Sequence, residues 1–132
     1  MKNIGMFLER INKVIPFLFI GLFLLFACEK FSFDPPKADP GKIYSFQLDI
    51  QPLFTSKCIG CHASGKQQPT LEDGKSYSSL TNGGYISSDP VNSPETSILY
   101  IQVTTNPSHT PLLNDLQKQS ILEWIRQGAL NN

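Results

Sequence analysis

Residues 63–92 are rich in Ser, Gly, Asn and Gln and carry no sustained apolar period. An irregular stretch of this length is uncommon inside a compact domain unless it wraps something. Helical signals stand on both sides of it. Upstream, Ile50, Leu53 and Phe54 fall at helical spacing. Asp49 is placed to cap that helix, Pro52 is tolerated in its first turn, and the helix runs into Cys58. Ser76 to Leu80 reads as one helical turn inside the stretch, followed by the turn signal Asn82-Gly83-Gly84. Downstream, Ser93-Pro94-Glu95 starts a helix expected over 94–103, with Ile98, Leu99 and Ile101 on it. The last helix is the clearest. Asn114 or Asp115 caps it, Ile121, Leu122, Ile125 and Ala129 form one stripe with Trp124 beside it, and Gly128 suits a left-handed C-terminal position. No strand pattern is comparably strong. The expectation is an all-α domain of three to four short helices with a long internal loop. The apolar positions look too few to pack such helices alone, so the chain calls for a second hydrophobic body.

Cys58-Ile59-Gly60-Cys61-His62 names that body. Two Cys separated by two residues, with His directly after, form the c-type haem attachment signature. Each thiol adds across one vinyl group of the porphyrin, and the spacing on a helical turn suits the vinyl separation. The next residue then aims its imidazole at the iron. A covalent haem c bound by Cys58, Cys61 and His62 would give residues 63–92 an object to enclose. Three alternatives stand beside this reading. A redox disulfide between Cys58 and Cys61 would want a βαβ context. A zinc site would want a second pair of ligands, where the sequence offers only His109. The third is a structural disulfide with a bystander His.

Residues 1–27 read as a targeting segment. Lys2, Arg10 and Lys13 make a positive region, and Phe17 to Ala27 is an unbroken apolar run. Eleven helical residues rise about 16 Å, roughly half the hydrocarbon thickness of a bilayer, so a signal peptide fits better than a membrane span. Ala27 followed by Cys28 resembles the lipobox of bacterial lipoproteins, which implies lipidation of Cys28 and a membrane anchor there. An ordinary signal with a chance Cys is the alternative. Export would place the remaining cysteines in an oxidising compartment. Residues 28–42 then form a lipid-anchored, Pro-rich linker that includes Asp34-Pro35-Pro36 and Asp39-Pro40-Gly41. Phe31 and Phe33 leave open a coil packed on the domain. Residues 43–132 form the domain. Eleven basic and eleven acidic side chains give no net charge, which excludes a nucleic-acid binder working through a basic excess.

Residues 46–130 resemble the small single-haem cytochrome c domains of the planctomycete type. The matching stretches are Asp49-Ile50-Gln51-Pro52-Leu53 ahead of the haem motif, Asp89-Pro90 with Ser93 to Tyr100, and Trp124-Ile125 with Gly128-Ala129. The resemblance implies a cytochrome c-like helical fold around one covalent haem and one-electron transfer. It implies Cys58 and Cys61 as thioether sites and His62 as proximal iron ligand. It also implies transient redox protein partners and a place in the bacterial cell envelope, periplasmic or on the outer surface.

Domains of that family usually supply a Met as sixth iron ligand, before a Pro in the loop ahead of the last helix. Here the loop reads Ser108-His109-Thr110-Pro111-Leu112, and the only methionines are Met1 and Met6. Three options follow: His109 as sixth ligand, an open site holding water or a small ligand, or a Lys or other side chain. A closed site only passes electrons, which makes the chain a carrier rather than an enzyme. An open site would suit a haem-based gas sensor or small peroxidase. A third function is an anchoring accessory domain with a structural haem. Phe54, Tyr77, Tyr85, Tyr100 and Trp124 are candidates to pack on the haem or bond a propionate, with ordinary core packing as the alternative. No catalytic acid–base pair, activated nucleophile or phosphate loop is present.

Overall fold

The computed structural model describes residues 37–39 and 41–132. Cys28, the targeting segment and the first part of the expected linker lie outside them. Among the described residues the secondary structure is helical, with no strand. A π-helical turn, Phe46–Ile50, leads into α1 (Gln51–Lys57). Then come α2 (Ser76–Asn82), a 3-10 turn at Pro94–Thr96, α3 (Ile98–Thr105), a 3-10 turn at Thr110–Leu112, and α4 (Asp115–Arg126). None of these helices is long and apolar enough to cross a membrane.

The first helical unit begins earlier than its apolar spacing suggests. Ser45, not Asp49, is the cap: its hydroxyl accepts from the Leu48 N–H at 3.2 Å. Asp49 reaches back and accepts the Ser45 N–H at 2.9 Å, so both orphan donors are satisfied reciprocally. Pro52 explains the wide register. It has no N–H to donate, and its ring crowds the carbonyl four residues back. The turn before it is π-helical, with the Gln51 N–H bonded to the Phe46 carbonyl.

The helix at residues 94–103 is broken where continuity was expected. Ser97 is extended at ψ 128°, so a 3-10 turn ends there and α3 begins at Ile98. Ser93 makes no side-chain cap. The buried Ser97 hydroxyl instead accepts from the Ser87 N–H at 3.0 Å and ties the preceding loop to α3. Leu99 and Val103 face inward, whereas Ile98 and Ile101 are exposed. With only two helical turns, the position of neighbouring elements decides which apolar side chains are covered.

The last helix follows its sequence signals closely. Asn114 caps it in a reciprocal box with Gln117. Gly128 is left-handed at φ 97°, and Ala129 follows at φ 49°. The Ala129 N–H bonds to the Trp124 carbonyl, and its carbonyl accepts from the Tyr77 hydroxyl at 3.0 Å. Ile121, Ile125 and Ala129 are buried as expected, but Trp124 occupies the centre of the stripe and Leu122 only its margin. Phe46 packs on Trp124 at 5.2 Å between ring centroids, on Tyr77 at 5.3 Å and on Phe54 at 6.3 Å. This aromatic cluster joins the first and last helical units.

The segment before Phe46 is stitched to α4. Ala38 donates to Gln119 Oε1 at 2.6 Å, and Tyr44 donates to Gln127 Oε1 at 2.8 Å. Gln127 Nε2 returns a bond to the Lys42 carbonyl. At the far end, the Asn132 carbonyl accepts from the Gln47 N–H and the Ser45 hydroxyl.

The stretch after the cysteines holds its course through polar anchors. Buried Gln51 is the main one. Its Nε2 donates to the Leu71 carbonyl at 3.2 Å, and its Oε1 accepts from the Ser76 hydroxyl. Thr70 donates to Ser79 Oγ at 2.8 Å. Ser76–Asn82 is a two-turn helix rather than the single turn expected, and Leu80 is fully buried in the core.

Candidate cofactor cleft

The chain leaves α1 in a tight turn that carries the whole cysteine–histidine motif. Cys58 donates its N–H to the Phe54 carbonyl at 2.8 Å, and its own carbonyl accepts the N–H groups of Cys61 and His62. His62 is thereby turned into a cleft of about 270 Å³. Phe54, Cys58 and Leu71 line one part of this cleft, Leu99 and Val103 of α3 another, and His109 stands at its far side. A wider depression of about 670 Å³ near Tyr77 and Pro90 holds no Cys or His, so chemistry and size point to different places. The cleft with the histidines is the one that matters for ligand chemistry.

His62 is nearly buried, at 9% exposure. Its Nδ1 lies 3.0 Å from the Pro69 carbonyl oxygen. A carbonyl can only accept, so Nδ1 carries the proton and donates. Nε2 is left with its lone pair, the form in which a neutral imidazole binds a metal. The Leu71 N–H bonds to the His62 carbonyl at 2.7 Å, and Gln67 donates to the Cys61 carbonyl. The loop therefore closes over the histidine from both its main chain and its ring.

Both cysteines are free thiols, Cys58 half-buried in the cleft wall and Cys61 exposed. Burial, reinforced by the nearby Cys61, pushes the Cys58 thiol up to about 11. A reactive redox thiol needs the opposite shift. An uncharged thioether carries no such penalty in apolar surroundings. Among the described residues no three His, Cys, Asp or Glu side chains converge as a metal site of their own.

His109 faces His62 across the cleft. The ring centroids are 5.9 Å apart and the planes are inclined by 41°. His109 Nδ1 is buried and has no hydrogen-bond partner. Two metal–imidazole bonds of about 2.0–2.1 Å each plus two ring radii come to roughly 6 Å or a little more, so the centroid spacing is close to, and slightly under, what a metal between the rings requires. Cys58, the Nε2 of His62 and the apolar walls fit a covalently held haem, whereas Cys61 of the same motif is exposed and does not line the cleft.

Of the five aromatic candidates, Phe54 and Tyr85 line the cleft. Tyr77 and Trp124 belong to the aromatic core cluster with Phe46 instead. Tyr100 lies against a separate depression with Thr104 and Lys118. Sequence reasoning missed the Pro69 carbonyl, because a backbone acceptor leaves no mark in residue type. It also missed Val103 and Asn106, which lie beyond or at the end of the expected helix. Comparison with protein-family models, with curated proteins and with solved structures finds no match to this chain.

Proposed function

We propose that this chain is a monohaem c-type cytochrome of the cytochrome c-like type, tethered to a bacterial membrane through lipid on Cys28, that carries single electrons in the cell envelope. A haem c would supply a one-electron Fe(III)/Fe(II) couple, tuned by ligand, burial and hydrogen bonding. Cys58 and Cys61 would hold it through two thioethers, and His62 Nε2 would be the proximal ligand. The Pro69 carbonyl, by accepting from Nδ1, holds that imidazole in one tautomer and in one orientation. Leu71, Leu99 and Val103 provide a dry wall that raises the cost of charge at the site and so weights its potential.

The observation that carries this reading is the His62–Pro69 bond inside a Cys-x-x-Cys-His turn. It leaves the metal-binding nitrogen free in an apolar cleft bordered by a cysteine of the same motif. Partners would be transient redox proteins that dock briefly over a small area. The full chain, expressed with an envelope haem-maturation system, should be red and heavier than its polypeptide by one haem in the intact mass. Its pyridine haemochrome should have the form of two thioether links. A compactly folded exported chain of bare polypeptide mass from such a cell would overturn the proposal.

A further inference from the structure

We propose that His109 is the second axial ligand, which makes the cleft a closed bis-histidine site with no exchangeable position. The inference deepens the haem reading above and rests on it. Three independent observations lead to it. The two imidazoles face each other at 5.9 Å, with the cleft between them. His109 Nδ1 is, among the described residues, the one buried side-chain nitrogen or oxygen without a hydrogen-bond partner. Leaving such a group unpaired costs free energy that a loop histidine avoids by turning to solvent. An imidazole can bind a metal through either nitrogen, so a metal in the cleft is a partner this ring lacks within the protein.

The third observation is the turn that presents His109. The Asn106 carbonyl accepts from the His109 N–H at 3.0 Å, the Thr110 N–H at 2.9 Å and the Thr110 hydroxyl at 2.8 Å. Asn106 Oδ1 takes the Ser108 N–H at 2.9 Å, and its Nδ2 donates to Gln102 at 2.7 Å. The end of α3 thus fixes the loop in the conformation that turns His109 inward. A ligand held on a fixed backbone loses little entropy on binding. Rival donors are poor. The chain has no methionine after Met6, and no lysine lines the cleft. Its remaining polar side chains are mostly the amides of Gln67, Gln68, Gln102 and Asn106.

A bis-histidine site is six-coordinate, and it lacks the Met that raises the potential of c-type haems. The test uses the full haem-loaded chain, with carbon monoxide as the probe. Wild-type protein should show a low-spin ferric spectrum and an unchanged reduced spectrum under carbon monoxide. His109→Ala should become high-spin and bind carbon monoxide stoichiometrically. His109→Met should stay low-spin, exclude carbon monoxide, gain a sulfur-to-iron charge-transfer band and rise in potential. Wild-type protein that carries covalent haem yet binds carbon monoxide as readily as His109→Ala would overturn this ligand assignment alone. So would a His109→Ala spectrum identical to wild type. A chain with no covalent haem would overturn the haem reading and the ligand assignment together.

Discussion

His62 donates from Nδ1 to the carbonyl oxygen of Pro69 at 3.0 Å, across seven residues of chain. The bond fixes the tautomer and rotation of the ring, and it spends the one proton a neutral imidazole has. Any metal chemistry of His62 must use Nε2. His62→Ala removes the nitrogen and leaves the Pro69 carbonyl without its donor. The expected outcome is loss of haem content by about tenfold or more, tenfold being the low end for disruption around a metal site. Haemochrome absorbance per polypeptide measures it. Undiminished haem in this variant would mean that the ligand lies elsewhere.

The two cysteines differ in surroundings, and that difference is measurable when the chain is produced without export and without covalent haem. Cys61 is exposed and Cys58 is not. Burial raises the Cys58 thiol to about 11, so its thiolate is scarce at pH 8. Brief iodoacetamide treatment at pH 8 should label Cys61 first, with Cys58 following only as the pH climbs towards 11. Peptide mass mapping reads the order. Equal labelling at pH 8 in a haem-free chain that keeps its helical circular dichroism would contradict the buried position of Cys58.

Gln51 joins α1 to the loop at Leu71 and to α2 at Ser76. Gln51→Ala leaves a carbonyl and a hydroxyl in a buried place without partners. The expected cost is about 2 kcal/mol, within the usual range for such orphaned groups. Because Leu71 also donates to the His62 carbonyl, hydrogen exchange at the Leu71 amide should quicken in the same variant. Urea denaturation and exchange read the two effects separately.

Trp124 is fully buried between Phe46 and the end of α4, and its Nε1 donates to the Leu130 carbonyl at 2.9 Å. Trp124→Ala should destabilise by about 3–5 kcal/mol through the cavity and the lost bond. Trp124→Phe keeps most of the volume and should cost less. Thermal unfolding orders the two variants.

Asp49 is subject to opposing influences. Partial burial works against its charge, but the Lys42 ammonium at 2.5 Å and the Ser45 N–H outweigh that and hold its carboxyl below the ordinary value of 3.8. A depressed carboxyl stabilises the fold above its unfolded value, and that contribution is lost as the pH falls through the folded value. Asp49→Asn should therefore flatten the acid limb of the stability curve below pH 4. At pH 7 it should cost about 0.5–1 kcal/mol, since Lys42 is 44% exposed and screened by solvent. Denaturation midpoints between pH 2 and pH 7 test both statements.

Local order determined what could be read from the chain alone. The cysteine–histidine spacing is a covalent pattern, visible without any fold. The last helix is legible because Asn114, Gln117 and Gly128 act within one or two turns of their own position. The all-helical class follows from the same short-range signals. Only tertiary packing decided the rest. Ser45 caps the first helix because the register upstream of Pro52 widens, which apolar spacing does not reveal. Trp124 rather than Leu122 enters the core because Phe46, distant in sequence, is its partner. Ile98 and Leu99 are adjacent and equally apolar, yet their unequal burial depends on what packs beside α3. The facing of His62 and His109 depends on two loops, one closed by the Pro69 carbonyl and one by the Asn106 carbonyl. Backbone acceptors carry no residue code, so long-range geometry of that kind is written only in the folded chain.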